Sequence, residues 1–353
     1  MPGGVLAGVD DSWVSEDVLS ILNEANVRVG TLETAIGNEP NFYDEKMDRL
    51  ADVIYAKDHD LNKLLKLGID LVSLANNHFF DLGPEGAMHT LQLLDEFGIR
   101  HIGAGRNIKE ASAPVIINIK GNTIAFLAFC DWRKETVGWC PFASESSPGV
   151  NPMFDDYVES EILKYKKQYD YIVVLPHWGI ENTWITTPKV FRLAKKMLRA
   201  GADLILGGHP HRVQPLVNYK LGSVAYSLGN FLFPDRLIVP PRSTFYGDHN
   251  IDYSKLPTTE GYPYVKELTY KKWKPLARIG MIVLSELSNN TVISYYKLVQ
   301  LNDNNVLSLY ENKKISSILS KRRFILKYIP YPFCYNVERF LKAIFRRLYF
   351  WGK

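Results

Sequence analysis

Short apolar runs that alternate with helix-type periodicity dominate the chain from Ser15 to His211. The first such region predicts a helix over residues 15–26, opened by a Ser15 cap, and a strand over 27–32. Further units predict helix 60–67, strand 69–75, helix 84–97, strand 171–175, helix 188–200 and strand 204–206. Repeated strand–helix units of this kind are typical of an α/β fold with a mixed or parallel sheet.

The remaining pattern is mainly of the β type. Residues 113–119 and 123–129 predict a hairpin, and 223–227, 278–287 and 291–301 predict further strands. Residues 234–275 are rich in Pro, Tyr, Gly and charge, so we expect an irregular insertion there. The predicted organisation is one domain over residues 1–305, followed by a basic amphipathic tail over 306–353.

Histidines follow the predicted strands at equivalent places. His78 follows strand 69–75, His177 follows strand 171–175, and His209 and His211 follow strand 204–206. Ligands of open α/β sheets bind at the carboxyl ends of strands, so these imidazoles are expected to converge on one crevice. The remaining histidines, at positions 59, 89, 101 and 249, show no such placement and receive no predicted role.

The donor types favour a catalytic divalent metal. The chain has three cysteines, Cys130, Cys140 and Cys334, without CxxC spacing, which argues against a disulfide framework and a cysteine-based zinc site. Imidazole, amide and carboxylate donors suit Mn, Zn or Fe. In the segment 207–211, two glycines allow close approach of the backbone, and the proline stiffens the turn between the two histidines.

Six segments together resemble the ordered motifs of the poly-gamma-glutamate capsule-synthesis CapA family. They are TLETAIGN (31–38), DLVSLANNHFFDLGPEG (70–86), GAGRN (103–107), VVLPHWGIEN (173–182), GADLILGGHPHRVQP (201–215) and YSLGNFLF (226–233). That family is similar to calcineurin-like metallophosphoesterases. The resemblance implies a four-layer α/β/β/α sandwich and a metal-dependent hydrolase in capsule or exopolysaccharide synthesis.

The resemblance also implies roles for single residues. The implied metal ligands are Glu33, Asn77, His177, His209 and His211. Asn77, His177 and His209 would complete one site, whereas Glu33 and His211 form only part of a second site. His78 matches the catalytic acid or electrophile.

The sequence pattern leaves the roles of four further residues less certain than those of the ligands. Asp81 would hydrogen-bond the His78 imidazole and fix its tautomer, or alternatively would cap the helix that follows. Glu181 and Asn182 are predicted to contact substrate, although a turn role suits Asn182 equally. Asn230, after a glycine at a strand end, is expected to close a turn.

The chain departs from the family pattern at its beginning. The family normally opens with a strand that ends in Gly-Asp, and this sequence starts at MPGGVLAG, as if just after that point. Asp10 and Asp11 follow the glycines and precede the Ser15 cap, so they are poor substitutes. If the first strand is missing, the alternative hypothesis is a non-catalytic or metal-impaired accessory protein of a membrane-associated polymer synthesis or export complex.

Charge is distributed unevenly along the chain. Residues 313–353 contain eleven basic residues and one acid, giving a net charge of +10; the overall charge of +4 therefore leaves −6 for residues 1–312. Apolar and basic positions from Phe333 to Tyr349 follow helical spacing, which predicts either contact with an anionic membrane or packing on the acidic body. No nucleic-acid-binding motif accompanies this charge, so no nucleic-acid partner is expected.

The expected partners and location follow from these features. An anionic polymer or lipid-linked precursor and a capsule-synthesis complex are the expected partners. The chain begins without a basic, apolar secretory signal, which predicts a cytoplasmic location or a peripheral one at the inner face of the membrane.

Overall fold

The computed structural model describes residues 13–37, 53–131, 140–240, 243–245, 251–260, 264–289, 291–329 and 335–336 of the 353-residue chain. Asp10, Asp11 and the predicted amphipathic positions from Phe333 to Tyr349 lie outside these ranges. None of the helices in the described ranges is both long and apolar enough to cross a membrane.

The helices agree closely with the predicted periodicity, with ends that differ by a few residues. In chain order they are α1 (Glu16–Asn23), α2 (Asn62–Lys66), α3 (Gly83–Glu96), α4 (Ile108–Ala111), α5 (Asp155–Lys166), α6 (Pro188–Ala200) and α7 (Lys313–Tyr328). Short 3₁₀ turns precede α2 at Asp58–Leu61 and also occur at Tyr253–Lys255 and Pro275–Arg278. Helices α4 and α5 were not predicted: α4 has only four residues, and the mixed polar sequence of α5 has little apolar periodicity.

The strands are numbered in the same way. The first ten are β1 (Val29–Thr31), β2 (Ala35–Ile36), β3 (Ile54–Ala56), β4 (Leu71–Ser73), β5 (Arg100–Ile102), β6 (Ala104–Gly105), β7 (Val115–Ile119), β8 (Asn122–Cys130), β9 (Gly149–Val150) and β10 (Tyr171–His177). The others are β11 (Leu204–Leu206), β12 (Val213–Tyr219), β13 (Gly222–Leu228), β14 (Arg236–Val239), β15 (Ser243–Phe245), β16 (Thr258–Thr259), β17 (Thr269–Lys271), β18 (Ile279–Ser288), β19 (Thr291–Leu301) and β20 (Leu307–Leu309).

A six-stranded central sheet has the order β12-β13-β11-β10-β8-β7. Strand β10 pairs in parallel with β8 and β11, and β11 pairs in parallel with β13, while the two edge pairs are antiparallel. All seven residues of β10 are buried, which explains its nearly continuous apolar sequence. A second sheet, β1-β4-β5, is parallel throughout.

The two sheets form the inner layers of the fold. On one face of the central sheet, Ile172 and Val174 pack with Leu193 and Met197 of α6. On the other face, residues of β8 and β10 share a core with β4 and with helix α3, and β5 lies against β7 and β8. The predicted α/β class and the order helix–sheet–sheet–helix are therefore confirmed.

The prediction of an irregular segment over residues 234–275 is wrong in one respect. Strands β14, β15, β16 and β17 lie within it and join β3 and β2 in a sheet of order β16-β17-β14-β15-β3-β2. These strands have only two to four residues each, too few to show an alternating pattern. The long strand β12 also went unpredicted.

The last part of the described chain lies on the body. Strand β20 pairs with β19 in a three-stranded sheet, β18-β19-β20. Helix α7 begins at an Asn312 cap, whose side chain accepts a hydrogen bond from Ile315 N, and it packs against β12 through Ile315 and Leu319. The predicted boundary at residue 305 remains a prediction.

A buried ion pair joins segment 234–275 to the hairpin β18–β19. Asp235 accepts hydrogen bonds from the guanidinium of Arg278, the Tyr270 hydroxyl (2.8 Å) and Trp273 N (2.9 Å). The side chains of Asp235 and Arg278 are 2% and 4% exposed, so neither charge is compensated by water. Arg278 also donates to Asn305 Oδ1 (2.9 Å).

Replacing Asp235 with Ala should lower the free energy of unfolding by about 3–5 kcal/mol, because it leaves the buried Arg278 charge uncompensated. Urea denaturation followed by circular dichroism measures this change. Asp303→Ala removes the same charge at an exposed position on the neighbouring turn and should change stability by less than about 0.5 kcal/mol. Equal effects of the two substitutions would contradict the structural role of the buried pair.

Candidate metal centre

Four strand ends meet at one edge of the two packed sheets. Glu33 follows β1, and Asn77 follows β4 of the second sheet. His177 ends β10, and the turn after β11 carries His209 and His211 in the central sheet. Because parallel strands present their carboxyl ends at the same edge, all five predicted ligands reach one pocket.

The donor atoms lie within contact distance of one another. His177 Nε2 is 2.8 Å from Asn77 Oδ1, 3.1 Å from His209 Nδ1 and 3.3 Å from Glu33 Oε1. His211 Nε2 is 3.5 Å from the same Glu33 oxygen. Glu33 thus lies between the His177–His209–Asn77 group and His211.

The residues of this pocket fit a divalent metal ion. Glu33, His177 and His209 are 8%, 4% and 7% exposed, and each offers one ligand atom within 4.8 Å of the others. Asn77 Oδ1 and Glu33 Oε1 can only accept hydrogen bonds, whereas His177 Nε2 carries at most one proton to share between them. Atom separations near 3 Å are also those expected between ligands of an ion bound at about 2.0–2.2 Å. A cation would satisfy these converging lone pairs together.

The negative charge of Glu33 also favours a cation in this pocket. Burial raises the pKa of this carboxyl, but the attraction of His211 and then His177 outweighs it, so the pKa lies well below its usual value. Glu33 is therefore negatively charged over the physiological pH range. A buried anion among imidazoles favours a positively charged occupant.

The backbone that carries the two neighbouring histidines is strained. His209 has φ 90° and His211 has φ 51°, backbone conformations that residues other than glycine rarely adopt. Pro210 between them accepts a hydrogen bond from Asn182 N (2.7 Å) through its carbonyl oxygen, which holds the turn against the neighbouring loop. Strain of this kind persists where the surrounding structure requires one geometry, and it concentrates at functional sites.

His78 and Asp81 form a second pair beside the ligands. His78 Nδ1 is 2.7 Å from Asp81 Oδ2, and the same oxygen accepts a hydrogen bond from Ile54 N (2.6 Å). Burial lowers the pKa of His78, but Asp81 more than offsets this and the pKa is raised overall. Helix α3 has Leu82 at its cap position with no side-chain cap, so the Asp81 carboxylate faces His78 and β3.

The predicted substrate contacts lie at the rim of the pocket. Glu181 Oε1 is 4.0 Å from His209 Nε2, and the Glu181 side chain is 47% exposed. Asn182 is exposed, with φ 58°, and its backbone makes the turn contact with Pro210. The structure thus places a carboxylate at the opening, while Asn182 occupies the turn that was the alternative role for it.

Two asparagines support the site in ways that the sequence analysis missed. Asn230 Nδ2 donates to Ala277 O (2.8 Å), which turns its Oδ1 toward His211 Nδ1 at 2.9 Å. Because that oxygen only accepts, Nδ1 of His211 carries a proton, and Nε2 is the ring nitrogen that faces Glu33. The signal in the sequence was that Asn230, like the histidines, follows a strand of the central sheet.

Asn76 supports the opposite side of the pocket. Its side-chain nitrogen donates to Leu32 O (2.9 Å), next to Glu33, and its side-chain oxygen accepts from His78 N (3.0 Å). One buried amide thus links the loops after β1 and β4. Cys140 Sγ, 3.2 Å from Asn76 O, closes this side.

Adjacent glycines at the turn after β11 provide a matched pair of substitutions. A Cβ at Gly207 would overlap Tyr226 O and the Trp178 ring nitrogen, whereas one at Gly208 would lie 3.4 Å from His177 Nδ1 and 3.7 Å from Thr31 Oγ1, which are ordinary contacts. Gly207→Ala should therefore lower the free energy of unfolding by about 1–3 kcal/mol. Gly208→Ala should change it by less than about 1 kcal/mol in chemical denaturation. Equal stability of the two variants would contradict the close packing at Gly207.

Comparisons with known proteins identify relatives that match about half or more of the chain. The chain is 36% identical over 182 residues to the capsule biosynthesis protein CapA of Bacillus anthracis, covering 50% of this chain and 43% of that protein. It is 28% identical over 240 residues to a probable polyglutamine synthesis accessory protein of Mycobacterium tuberculosis, covering 65% of this chain and 61% of that protein. The chain thus spans about half the length of the curated relatives it matches.

A solved structure and a family model complete the comparison. The calcineurin-like phosphoesterase YfkN of Bacillus subtilis superposes with a TM-score of 0.39 and 16% identity, over 76% of this chain and 73% of that chain. The family model described as "Bacterial capsule synthesis protein PGA_cap" matches residues 4–235. The resemblance found in the sequence is confirmed, and because this match covers well over half of the chain, the protein belongs to the bacterial capsule synthesis protein PGA_cap family.

Proposed function

We propose that the protein is a metal-dependent hydrolase that acts in the synthesis of a capsule or exopolysaccharide of the poly-gamma-glutamate type. The observation that carries this proposal is the convergence of Glu33, Asn77, His177 and His209 at buried strand ends, with donor atoms about 3 Å apart. The polymer class comes from the relatives, whose names refer to capsule and polyglutamine synthesis.

The proposed metal is Mn, Zn or Fe. Asn77, His177 and His209 would hold one ion, and Glu33 with His211 would contribute to a second position. A bound divalent ion supplies Lewis-acid polarisation of a phosphoryl or carbonyl oxygen. The buried walls exclude bulk water, so charges in this pocket interact more strongly than they would in solvent.

His78 is the proposed acid or electrophile. Its Nδ1 faces Asp81, which fixes the ring so that Nε2 is the nitrogen available to substrate. In this arrangement His78 would donate a proton to the leaving oxygen or stabilise charge on the reacting group. Asp81 is a positioning residue, because its carboxylate contacts His78 and Ile54 N.

The proposed substrate is an anionic polymer or its lipid-linked precursor, cleaved at a phosphoester or related bond. Glu181 and Asn182 at the rim would contact it. The Glu181 carboxylate suits an N–H or hydroxyl donor of the substrate, since an acidic group would be repelled there. Other components of a capsule-synthesis complex are the proposed protein partners.

A second candidate function is that of an accessory protein that binds metal without catalysing hydrolysis. The name of the Mycobacterium tuberculosis relative favours this alternative. Under this hypothesis the metal would hold the loops after β1, β4 and β11 in one arrangement for a partner. Both candidates share a location in the cytoplasm or at the inner face of the membrane.

The metal site is tested by His177→Ala and His209→Ala. Each should weaken binding of Mn or Zn by at least about 100-fold, because the loss of a ligand exceeds the effect of losing a supporting contact. Elemental analysis of the purified protein and titration calorimetry measure the change. His89→Ala is the matched control, because the ring of that partly exposed histidine pairs with the surface residue Asp58, which is not a proposed ligand. Unchanged metal content in both site variants would refute the metal centre.

Hydrolysis is tested by His78→Ala in an assay with a phosphodiester substrate. We expect kcat to fall by about 10²–10⁴-fold while bound metal stays at the wild-type level. An active wild type with an equally active variant would exclude His78 as the acid. A wild type that binds metal but hydrolyses no phosphoester would favour the accessory function instead.

A further inference from the structure

The outer face of helix α7 is strongly basic. Its sequence, KKISSILSKRRFILKY, contains six Lys or Arg residues and no acid. Ile315, Leu319 and Leu326 are buried against the body, which leaves the opposite side of the helix facing outward. The cations on that outer side are all exposed: Lys313, Lys314, Lys321, Arg323 and Lys327.

Aromatic side chains run along the middle of this outer face. Phe324 and Tyr328 are 57% and 65% exposed, and their ring centroids are 5.1 Å apart. The i, i+4 spacing stacks them one turn apart, with Lys321 on one side of the stripe and Lys327 on the other. Two large exposed aromatic rings between cations are an uncommon feature of a surface that contacts only water.

The basic character continues onto the neighbouring helix α6. Arg192 and Arg199 are exposed on α6, whose sequence, like that of α7, has no acidic residue. Lys195 lies over the Tyr219 ring, 3.1 Å from its centroid. Burial, followed by the repulsion of Arg199 and Lys327, lowers the pKa of Lys195 to about 8. Lys195 of α6 therefore lies close to Lys327 of α7, whereas Lys196 of α6 is paired with Asp156 and Glu159.

We propose that the outer face of α7, together with the adjoining cations of α6, binds the surface of an anionic lipid membrane. Lysine and arginine would contact lipid phosphates, and Phe324 and Tyr328 would enter the interfacial region. A soluble polyanion would require the cations but would leave the two rings in water. This inference goes beyond the proposed function, because it assigns a lipid-binding surface to helices that lie apart from the metal ligands.

Sedimentation of the full-length protein with lipid vesicles tests the proposal. Wild type should pellet with vesicles of phosphatidylcholine and phosphatidylserine at about two to one, and should stay in solution with phosphatidylcholine alone. Combining Lys321→Gln, Arg323→Gln and Lys327→Gln should weaken binding about fivefold per cation, or about a hundredfold in total. Phe324→Ser combined with Tyr328→Ser should weaken it about tenfold.

The matched control combines Lys109→Gln, Lys120→Gln and Lys274→Gln, which removes the same charge at exposed positions outside both helices. This variant should bind vesicles within about twofold of wild type. Circular dichroism melts and metal content establish that each variant is folded, so a failure at the membrane is distinct from a failure of the metal site. Wild-type binding by the three-cation variant overturns the proposal. Wild-type binding by the aromatic variant also overturns it, because Phe324 and Tyr328 would then make no contribution at the lipid interface.

Discussion

The packing of the parallel sheet β1-β4-β5 against the mixed central sheet is the constraint on which the candidate site depends. Strands β1 and β4 supply Glu33 and Asn77, whereas β10 and β11 supply the three histidines, and neither sheet holds a complete ligand set. The pairing of Val29 with Leu71 and of Val173 with Leu204 fixes how far each strand extends. A slip of one residue would turn the strand-end side chains to the other face and separate the donor atoms.

This arrangement places polar atoms where the fold would otherwise place apolar ones. Glu33 and His177 are almost fully buried, and His209 and His211 have strained backbone conformations. Desolvation and strain both cost free energy, which the apolar clusters on either face of the central sheet offset. A site of this kind is stable only inside a large core, and it gains further stability if a cation satisfies its lone pairs.

The chemistry and the proposed membrane contact lie on different elements. The ligands occupy loops at the edge between the sheets, whereas the basic face is formed by α6 and α7, outside the central sheet. Rigid strands and buried amides such as Asn76 position the candidate metal ligands. Exposed, long side chains suit the attraction to lipid, because that attraction needs charge and little geometric precision. One chain can therefore combine a candidate metal site with a proposed lipid-binding surface.

The sequence by itself determined the α/β class, the positions of the main strands and helices, and the residues at the strand ends. These features depend on local periodicity and on the rule that parallel strands end at one edge, both of which can be read from a single chain. The roles of the metal ligands came from the family resemblance, and the distances among Glu33, Asn77 and His177 are consistent with them.

Only the tertiary structure decided which polar groups face one another. Asn230 fixes the tautomer of His211, 19 residues before it, and Asp81 accepts a hydrogen bond from the backbone of β3, 27 residues before it; no local pattern encodes these two contacts. The short strands β14–β17 were missed because each has only two to four residues, too few to show an alternating pattern. Sequence periodicity reports which face of an element is buried, but the partner across that face is set by packing.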